Sequence, residues 1–186
     1  MISLIIGGSG SGKSEFAENQ LLQITNVQRK FYIATMIAYG EEGRERVERH
    51  RRLRAGKGFA TIEQPVQLAS IEQIDCLNGN AAMLECVSNL LANEMFAEDA
   101  AYRRLWKQSG SMEPLARQIT KDILEVAKRC QDFFIVSNNV FEDGIVYDED
   151  TRRYQECLAL VNAYLTEAVD EVVEVVVGIP IRLKGA

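Results

Sequence analysis

The most informative stretch of the sequence is Gly7-Gly8-Ser9-Gly10-Ser11-Gly12-Lys13-Ser14. It matches the pattern Gly-x-x-x-x-Gly-Lys-Ser/Thr, in which glycines let backbone N–H groups approach phosphate oxygens without obstruction by a Cβ atom. A hydrophobic run, Ile2–Ile6, precedes it, and an amphipathic segment from Ser14 to about Thr25 follows it. A strand, a glycine-rich turn and a helix in this order predict a phosphate-binding loop.

Individual residues of this loop have expected roles toward a nucleoside triphosphate. Lys13 is expected to reach the β- and γ-phosphates, and the Ser14 hydroxyl to bind Mg²⁺. The helix that begins near Gly12 adds the positive end of its dipole. The motif therefore predicts a bound nucleotide, but it does not name a reaction.

A second element of such sites usually supplies an acid near the metal ion, at the end of a hydrophobic strand. Glu85, which follows the apolar run Ala81–Leu84, is the best candidate. The alternative interpretation is a solvated carboxylate at a strand end. The run Phe133–Ser137 ends instead in two amides, Asn138 and Asn139.

Short apolar runs alternate with helical segments along the rest of the chain, which is typical of an α/β protein with a mainly parallel sheet. Helical stripes run over Met112–Cys130 and Tyr154–Ala168, and the polar segment Ala97–Glu113 is expected to be a surface excursion. We expect one domain over residues 1–186, with helices flanking the sheet. Its strands are predicted at Ile2–Ile6, Phe31–Ala34, Ala82–Glu85, Phe133–Ser137 and Val172–Val177, with a weaker sixth at Phe59–Ile62.

Composition narrows the classes of function and location. The chain has 186 residues, of which 47% are hydrophobic, and a net charge of −6, which argues against a nucleic-acid partner. No stretch approaches the roughly 20 apolar residues of a membrane span, and no secretion signal is recognisable. The four cysteines show no Cys-x-x-Cys spacing and are expected to be small buried side chains in a reducing compartment. We therefore expect a cytoplasmic protein.

Residues 44–57 form a basic segment in a chain whose net charge is negative, and this segment contains the only histidine, His50. The ordinary interpretation is a solvated basic helix face. The neighbouring cations also disfavour imidazolium and attract a triphosphate, so a neutral His50 is a candidate acceptor of a phosphoryl or nucleotidyl group. The basic residues are Arg44, Arg46, Arg49, Arg51, Arg52, Arg54 and Lys57.

In their order along the chain, these features resemble the bifunctional adenosylcobinamide kinase / adenosylcobinamide-phosphate guanylyltransferase family of cobalamin biosynthesis. The resemblance covers nearly the whole chain, and the ordered set is more specific than the loop alone. It rests on Ile5–Ser14, Tyr32–Thr35, Arg46–Arg51, Leu84–Asn93, Ser137–Val140, Gly144–Val146, Val161-Asn162 and Gly178–Pro180.

The resemblance implies a RecA-like P-loop fold and two reactions. A triphosphate phosphorylates the aminopropanol hydroxyl of adenosylcobinamide, and a histidine then carries GMP from GTP to adenosylcobinamide phosphate. That histidine falls on His50, the phosphate loop on Gly7–Ser14, and the nucleotide-side or Mg²⁺-side acid on Glu85. Thr35 falls among the nucleotide-binding residues. The resemblance also implies a homo-oligomer, a trimer in this family, with GTP and ATP as substrates.

This chain departs from the family pattern at two places, and the first of them bears on the kinase step. The family usually has Thr-Asn-Glu-Val-Gly where this chain has Ser137-Asn138-Asn139-Val140-Phe141, and Asn139 cannot act as a general base as Glu would. The family also tends to have Gly-Ile-Val-Pro, whereas Tyr147 follows Val146 here. A member that keeps only the guanylyltransferase step is therefore one alternative. Two others are a P-loop kinase of another small hydroxyl compound and a nucleotide-gated regulatory protein.

Overall fold

The computed structural model of the protein describes residues 1–38, 40–72, 74–96, 110–140 and 147–185. Seven strands lie in these ranges: β1 (Ile2–Gly7), β2 (Lys30–Ala34), β3 (Ala60–Glu63), β4 (Ala81–Glu85), β5 (Asp132–Asn138), β6 (Glu171–Val176) and β7 (Ile179–Lys184). They form one sheet in the order β3-β2-β4-β5-β1-β6-β7. All neighbouring pairs are parallel except β6 and β7, which are antiparallel.

Five α-helices connect the described strands. They are α1 (Lys13–Gln23), α2 (Gly40–Arg54), α3 (Val87–Phe96), α4 (Glu113–Ala127) and α5 (Glu149–Ala168). Two short 3₁₀ turns lie at Leu68–Ser70 and Ile74–Leu77, between β3 and β4. None of the described helices is long and apolar enough to span a lipid bilayer.

The central strands are buried on both faces, which explains their continuous apolar sequences. Successive side chains of a strand point to opposite faces, so Leu4 joins the core beneath α3, α4 and α5, whereas Ile5 joins the core beneath α1. In β1, Leu4 pairs with Ile135 of β5 and with Val172 of β6. The strand that enters the phosphate loop is therefore held from both sides.

The prediction of an α/β fold with a mainly parallel sheet is confirmed, and all six strand predictions are recovered to within one residue at each end. Besides the two 3₁₀ turns, one helix and one strand were not predicted. Helix α3 has buried side chains almost all round, so it shows no apolar stripe. Strand β7 is an exposed edge strand containing Pro180, which is confined to such positions because it cannot donate to the sheet.

The segment Ala97–Glu113 is predicted to be a surface excursion, and residues 97–109 lie outside the described part of the chain. Its end does not fit that prediction. Met112 is completely buried in the core, and Glu113 begins α4. The last residues of this segment therefore belong to the packed interior.

The cysteines are all free thiols, and none forms a disulfide. Cys86 and Cys157 are buried, as the sequence predicts, whereas Cys76 and Cys130 are half-buried. Burial and the adjacent Glu85 carboxylate raise the pKa of the Cys86 thiol to about 11. Cys86 is therefore uncharged at neutral pH and is a poor nucleophile, although it directly follows Glu85.

The substitution Leu84→Ala should lower the free energy of unfolding by about 2–5 kcal/mol, because it leaves a cavity at a fully buried position of β4. Denaturant titration measures this change. The matched control is Leu183→Ala in β7. Leu183 is 57% exposed, so this substitution should lower the free energy of unfolding by less than about 0.5 kcal/mol. Equal losses at the two positions would contradict the assignment of β4 to the core.

Candidate nucleotide-binding site

The phosphate loop lies between the end of β1 and the first turn of α1. Gly10 and Gly12 have φ angles of 71° and 91°, a left-handed conformation that residues with a Cβ atom rarely adopt. Gly12 is also the residue that caps the N-terminus of α1. Because the backbone turns sharply at these two glycines, the N-terminus of the helix faces the space that the loop encloses.

Gly7 is required for a different reason, namely close packing. A Cβ atom at this position would lie 2.5 Å from Ser11 Oγ and 2.6 Å from the carbonyl oxygen of Val175 in β6. The loop is therefore packed tightly against the neighbouring strand. The N–H of Gly178, in the turn after β6, donates to the Ser11 carbonyl at 2.8 Å and fixes the other side of the loop.

Lys13 folds back over the loop that precedes it. Its Nζ donates to the carbonyl oxygen of Gly8 at 3.0 Å, and the residue is only 7% exposed. A lysine in this position presents its ammonium group to phosphates bound in the loop. The hydrogen bond to Gly8 also indicates that the ammonium group faces the first half of the loop.

Ser14 and Glu85 meet across the C-terminal edge of the sheet. The Ser14 hydroxyl donates to Glu85 Oε1 at 2.9 Å, which joins the first turn of α1 to the end of β4. Both side chains offer oxygen atoms, the ligands that Mg²⁺ prefers, and Mg²⁺ is commonly bound by one or two carboxylates together with substrate phosphates. The pair therefore fits a nucleotide-bound Mg²⁺ ion. The described residues contain no group of three or more His, Cys, Asp or Glu that could hold a metal without the nucleotide.

Thr35 lies directly behind Glu85 and is fully buried. Its Oγ1 accepts a hydrogen bond from the Cys86 N–H at 2.8 Å, and it lies 3.0 and 2.9 Å from the carbonyl oxygens of Glu85 and Cys86. The Thr35 N–H also donates to the Glu85 carbonyl. The structure therefore brings Thr35 into the site, but its hydroxyl contacts the backbone that carries Glu85.

Asn93 completes this network and was not singled out from the sequence. Its Nδ2 donates to the Thr35 carbonyl at 2.7 Å and to the Pro65 carbonyl at 2.8 Å, and the residue is 6% exposed. It thereby ties α3 to the segments that follow β2 and β3. The signal that could have revealed it is an amide within an otherwise apolar helical segment, because a buried amide must find partners.

The amides at the end of β5 occupy different positions. Asn138 Nδ2 donates to Ser88 Oγ at 2.6 Å, at the start of α3. The Asn139 N–H donates to the Gly7 carbonyl at 3.0 Å, so Asn139 lies beside the start of the loop. Asn139, which stands where the resembling family usually has Glu, is thus next to the phosphate loop.

The basic segment forms α2, as expected, and the described arginines Arg44, Arg49, Arg51 and Arg52 are exposed. The side chains of residues 42, 46, 50, 53 and 54 lie outside the described part, so the structure gives no position for the His50 imidazole. Two ion pairs connect the end of this segment to the domain. Arg51 pairs with Glu63 at the end of β3, and Lys57 pairs with the largely buried Glu18 of α1, one turn beyond Ser14.

Comparisons with known proteins identify the family of this sequence. A family described as "Cobinamide kinase / cobinamide phosphate guanyltransferase" matches residues 3–183. The "Bifunctional adenosylcobalamin biosynthesis protein CobU" of Escherichia coli strain K12 is 28% identical over 185 residues, which cover 99% of this chain and 100% of that protein. The "Bifunctional adenosylcobalamin biosynthesis protein CobP" of Pseudomonas aeruginosa is 29% identical, with 100% of this chain and 98% of that protein covered.

A solved structure described as the "ATPase Domain of G40P" is similar in fold, with a TM-score of 0.51 and 13% identity. The similarity covers 93% of this chain and 68% of that one, and it supports a RecA-like P-loop fold. Because the family match extends over residues 3–183 and the relatives align over nearly their full lengths, the chain belongs to the cobinamide kinase / cobinamide phosphate guanyltransferase family.

Proposed function

We propose that this chain catalyses two successive reactions on a corrinoid alcohol. It phosphorylates the hydroxyl group of adenosylcobinamide and then transfers GMP from GTP to the resulting phosphate. The observation that carries the proposal is the contact between Ser14 and Glu85 beside the glycine loop. It joins a phosphate-binding helix N-terminus to a strand-end carboxylate, the arrangement by which P-loop enzymes hold Mg²⁺ at a triphosphate.

In the kinase step, Gly7–Ser14 would hold the phosphates through backbone N–H groups and the Lys13 ammonium. The Ser14 hydroxyl and the Glu85 carboxylate would hold Mg²⁺, which neutralises phosphate charge when it is bound. Thr35 and Asn93 would act through Glu85, because their hydrogen bonds fix the backbone on which this carboxylate is carried. ATP and GTP both fit a loop that contacts only phosphates.

In the nucleotidyl step, His50 would be the nucleophile. An imidazole nitrogen attacks the α-phosphorus of GTP, the bond from that phosphorus to the bridging oxygen breaks, and pyrophosphate leaves. A phosphate oxygen of adenosylcobinamide phosphate then attacks the same phosphorus and releases His50. The exposed arginines of α2 support this assignment because they would attract the triphosphate and favour a neutral imidazole.

A member that performs only the guanylyl transfer is the second candidate. The observation that favours it is Asn139, which lies beside the loop and cannot accept a proton. Under this alternative the protein would form the GMP adduct but would not phosphorylate adenosylcobinamide. A direct kinase assay on the wild-type protein therefore separates the two candidates.

We further propose a cytoplasmic homo-oligomer, a trimer by analogy with the family that the sequence resembles. Free thiols at all four cysteines are consistent with a reducing compartment. Strand β7 exposes Ile179, Ile181 and Leu183, and an exposed apolar edge is a feature of subunit interfaces. The turn that precedes β7 contacts the phosphate loop, so association through this edge would adjoin the site.

The substitution His50→Ala should abolish covalent labelling by GTP that carries the label on its α-phosphate. The wild-type adduct should be stable to alkali and labile to acid, as expected for a phosphorus–nitrogen bond. Phosphorylation of adenosylcobinamide by His50→Ala should persist, because Lys13 and Ser14 remain. Glu45→Gln, an exposed position on the same helix, is the control and should keep the label. Label that persists in His50→Ala would refute the role of this histidine.

The substitution Lys13→Ala should lower both phosphorylation and labelling by about 10²-fold or more, since it removes a charged donor to the phosphates. Steady-state kinase assays and label incorporation measure the two losses. Lys121→Ala, whose side chain is exposed on α4 and 66% accessible, is the matched control and should leave both unchanged. Normal activity of Lys13→Ala in both assays would contradict the assignment of the loop.

A further inference from the structure

A cavity of about 760 Å³ adjoins the first half of the phosphate loop. Residues Gly8–Ser11 form one wall, and neither Lys13, Ser14 nor Glu85 is part of the lining. The end of β5, the start of α5 and the end of β6 form the remaining walls. The cavity is thus a space next to the phosphate site, separate from the pair that fits the metal ion.

The direction of Lys13 indicates which end of the nucleotide meets this cavity. A P-loop lysine reaches the β- and γ-phosphates, and Lys13 Nζ lies 3.0 Å from the Gly8 carbonyl. The terminal phosphate is therefore expected near the Gly8 half of the loop, with the rest of the triphosphate extending along the N-terminus of α1. A group in the cavity would approach the transferable phosphorus, not the nucleoside.

The walls suit an amphipathic ligand. Tyr147, Tyr154 and the valines at the end of β6 supply apolar surface. Thr151 Oγ1 donates to Asp148 Oδ2 at 2.8 Å and Gln155 Nε2 donates to the Val140 carbonyl at 3.0 Å, so these two side chains offer the cavity their oxygen atoms as acceptors. Cobinamide has this chemistry, because its alcohol arm is joined through an amide to a large, amide-bearing apolar ring. The cavity volume is sufficient for the arm, while the macrocycle would remain at the entrance.

Glu174 provides the only acidic side chain among the described residues that line the cavity. It lies on β6 in register with Ile6 of β1, immediately beside the strand that leads into the loop. No hydrogen bond or ion pair to another described residue engages its carboxylate. An ionised carboxylate can accept the hydroxyl proton that Asn139, an amide on the opposite wall, cannot accept.

We propose that this cavity is the binding site for the acceptor alcohol and that Glu174 takes the proton of its hydroxyl group. The proposal rests on the kinase function proposed above. As the hydroxyl oxygen forms its bond to the γ-phosphorus, the bond from that phosphorus to the β,γ-bridging oxygen breaks. The electron pair stays with the departing nucleoside diphosphate, and the hydroxyl proton passes to the Glu174 carboxylate.

Two substitutions test the two parts of this assignment in the full-length protein with cobinamide, ATP and Mg²⁺. Glu174→Gln should lower the kcat of phosphorylation about 10²-fold with little change in the KM for ATP. Tyr147→Ala should raise the KM for cobinamide about tenfold, which corresponds to the loss of one aromatic contact. Glu156→Gln, an exposed glutamate on α5, is the matched control and should match wild type.

Two further measurements keep the test decisive. Covalent labelling of both variants by GTP should equal that of the wild type, which shows that they fold and retain the phosphate loop. Equilibrium binding of cobinamide, followed through its visible absorption with a non-hydrolysable ATP analogue, should weaken in Tyr147→Ala even if turnover is slow.

The outcomes separate this inference from the proposed function. A wild-type protein that phosphorylates cobinamide while both variants keep its kcat and KM would overturn the cavity assignment alone. A wild-type protein that neither binds nor phosphorylates cobinamide would overturn the cavity assignment together with the kinase function. Loss of label in the variants would show that they are misfolded. The substitution Thr151→Val would then decide the assignment, since weaker cobinamide binding supports it and unchanged binding overturns it.

Discussion

The hydrogen bond from Ser14 to Glu85 is the interaction on which the arrangement of the site depends. It connects α1, which begins at the phosphate loop, with β4, which lies two positions from β1 in the sheet. Because β5 lies between β1 and β4, this contact spans the C-terminal edge of the sheet, where ligands of parallel α/β proteins bind. The phosphates of a nucleotide would lie in the loop beside this contact, and Ser14 and Glu85 would hold the metal ion.

The position of the Glu85 carboxylate is fixed by buried hydrogen bonds to the backbone that carries it. Thr35 and Asn93 form a chain of buried hydrogen bonds that runs from α3 through the end of β2 to Glu85 and Cys86. Buried hydrogen bonds of this kind favour one arrangement, since an alternative would leave their donors unpaired. The same edge carries Asn139 beside the loop and the cavity beyond it.

The sequence was sufficient for the loop, the central strands and the partnership of Ser14 with Glu85, because each has a strong local pattern. It was insufficient where burial or context decides the structure. Helix α3 is buried on nearly all sides, and Asn93 reveals its importance only through partners on distant segments. Glu174 has no motif, since its position on the cavity wall follows from strand register. The imidazole of His50 remains a prediction from sequence, as its side chain lies outside the described residues.

In the arrangement proposed here, the loop and the Ser14–Glu85 pair hold a triphosphate and its metal ion, with the terminal phosphate toward Gly8. A crystal structure with a non-hydrolysable GTP analogue and Mn²⁺, located by its anomalous signal, would show the positions of both. We expect Mn²⁺ bound to the Ser14 hydroxyl next to Glu85, and the γ-phosphate between Lys13 and the cavity. Manganese elsewhere, or phosphates bound away from Gly7–Ser14, would contradict it.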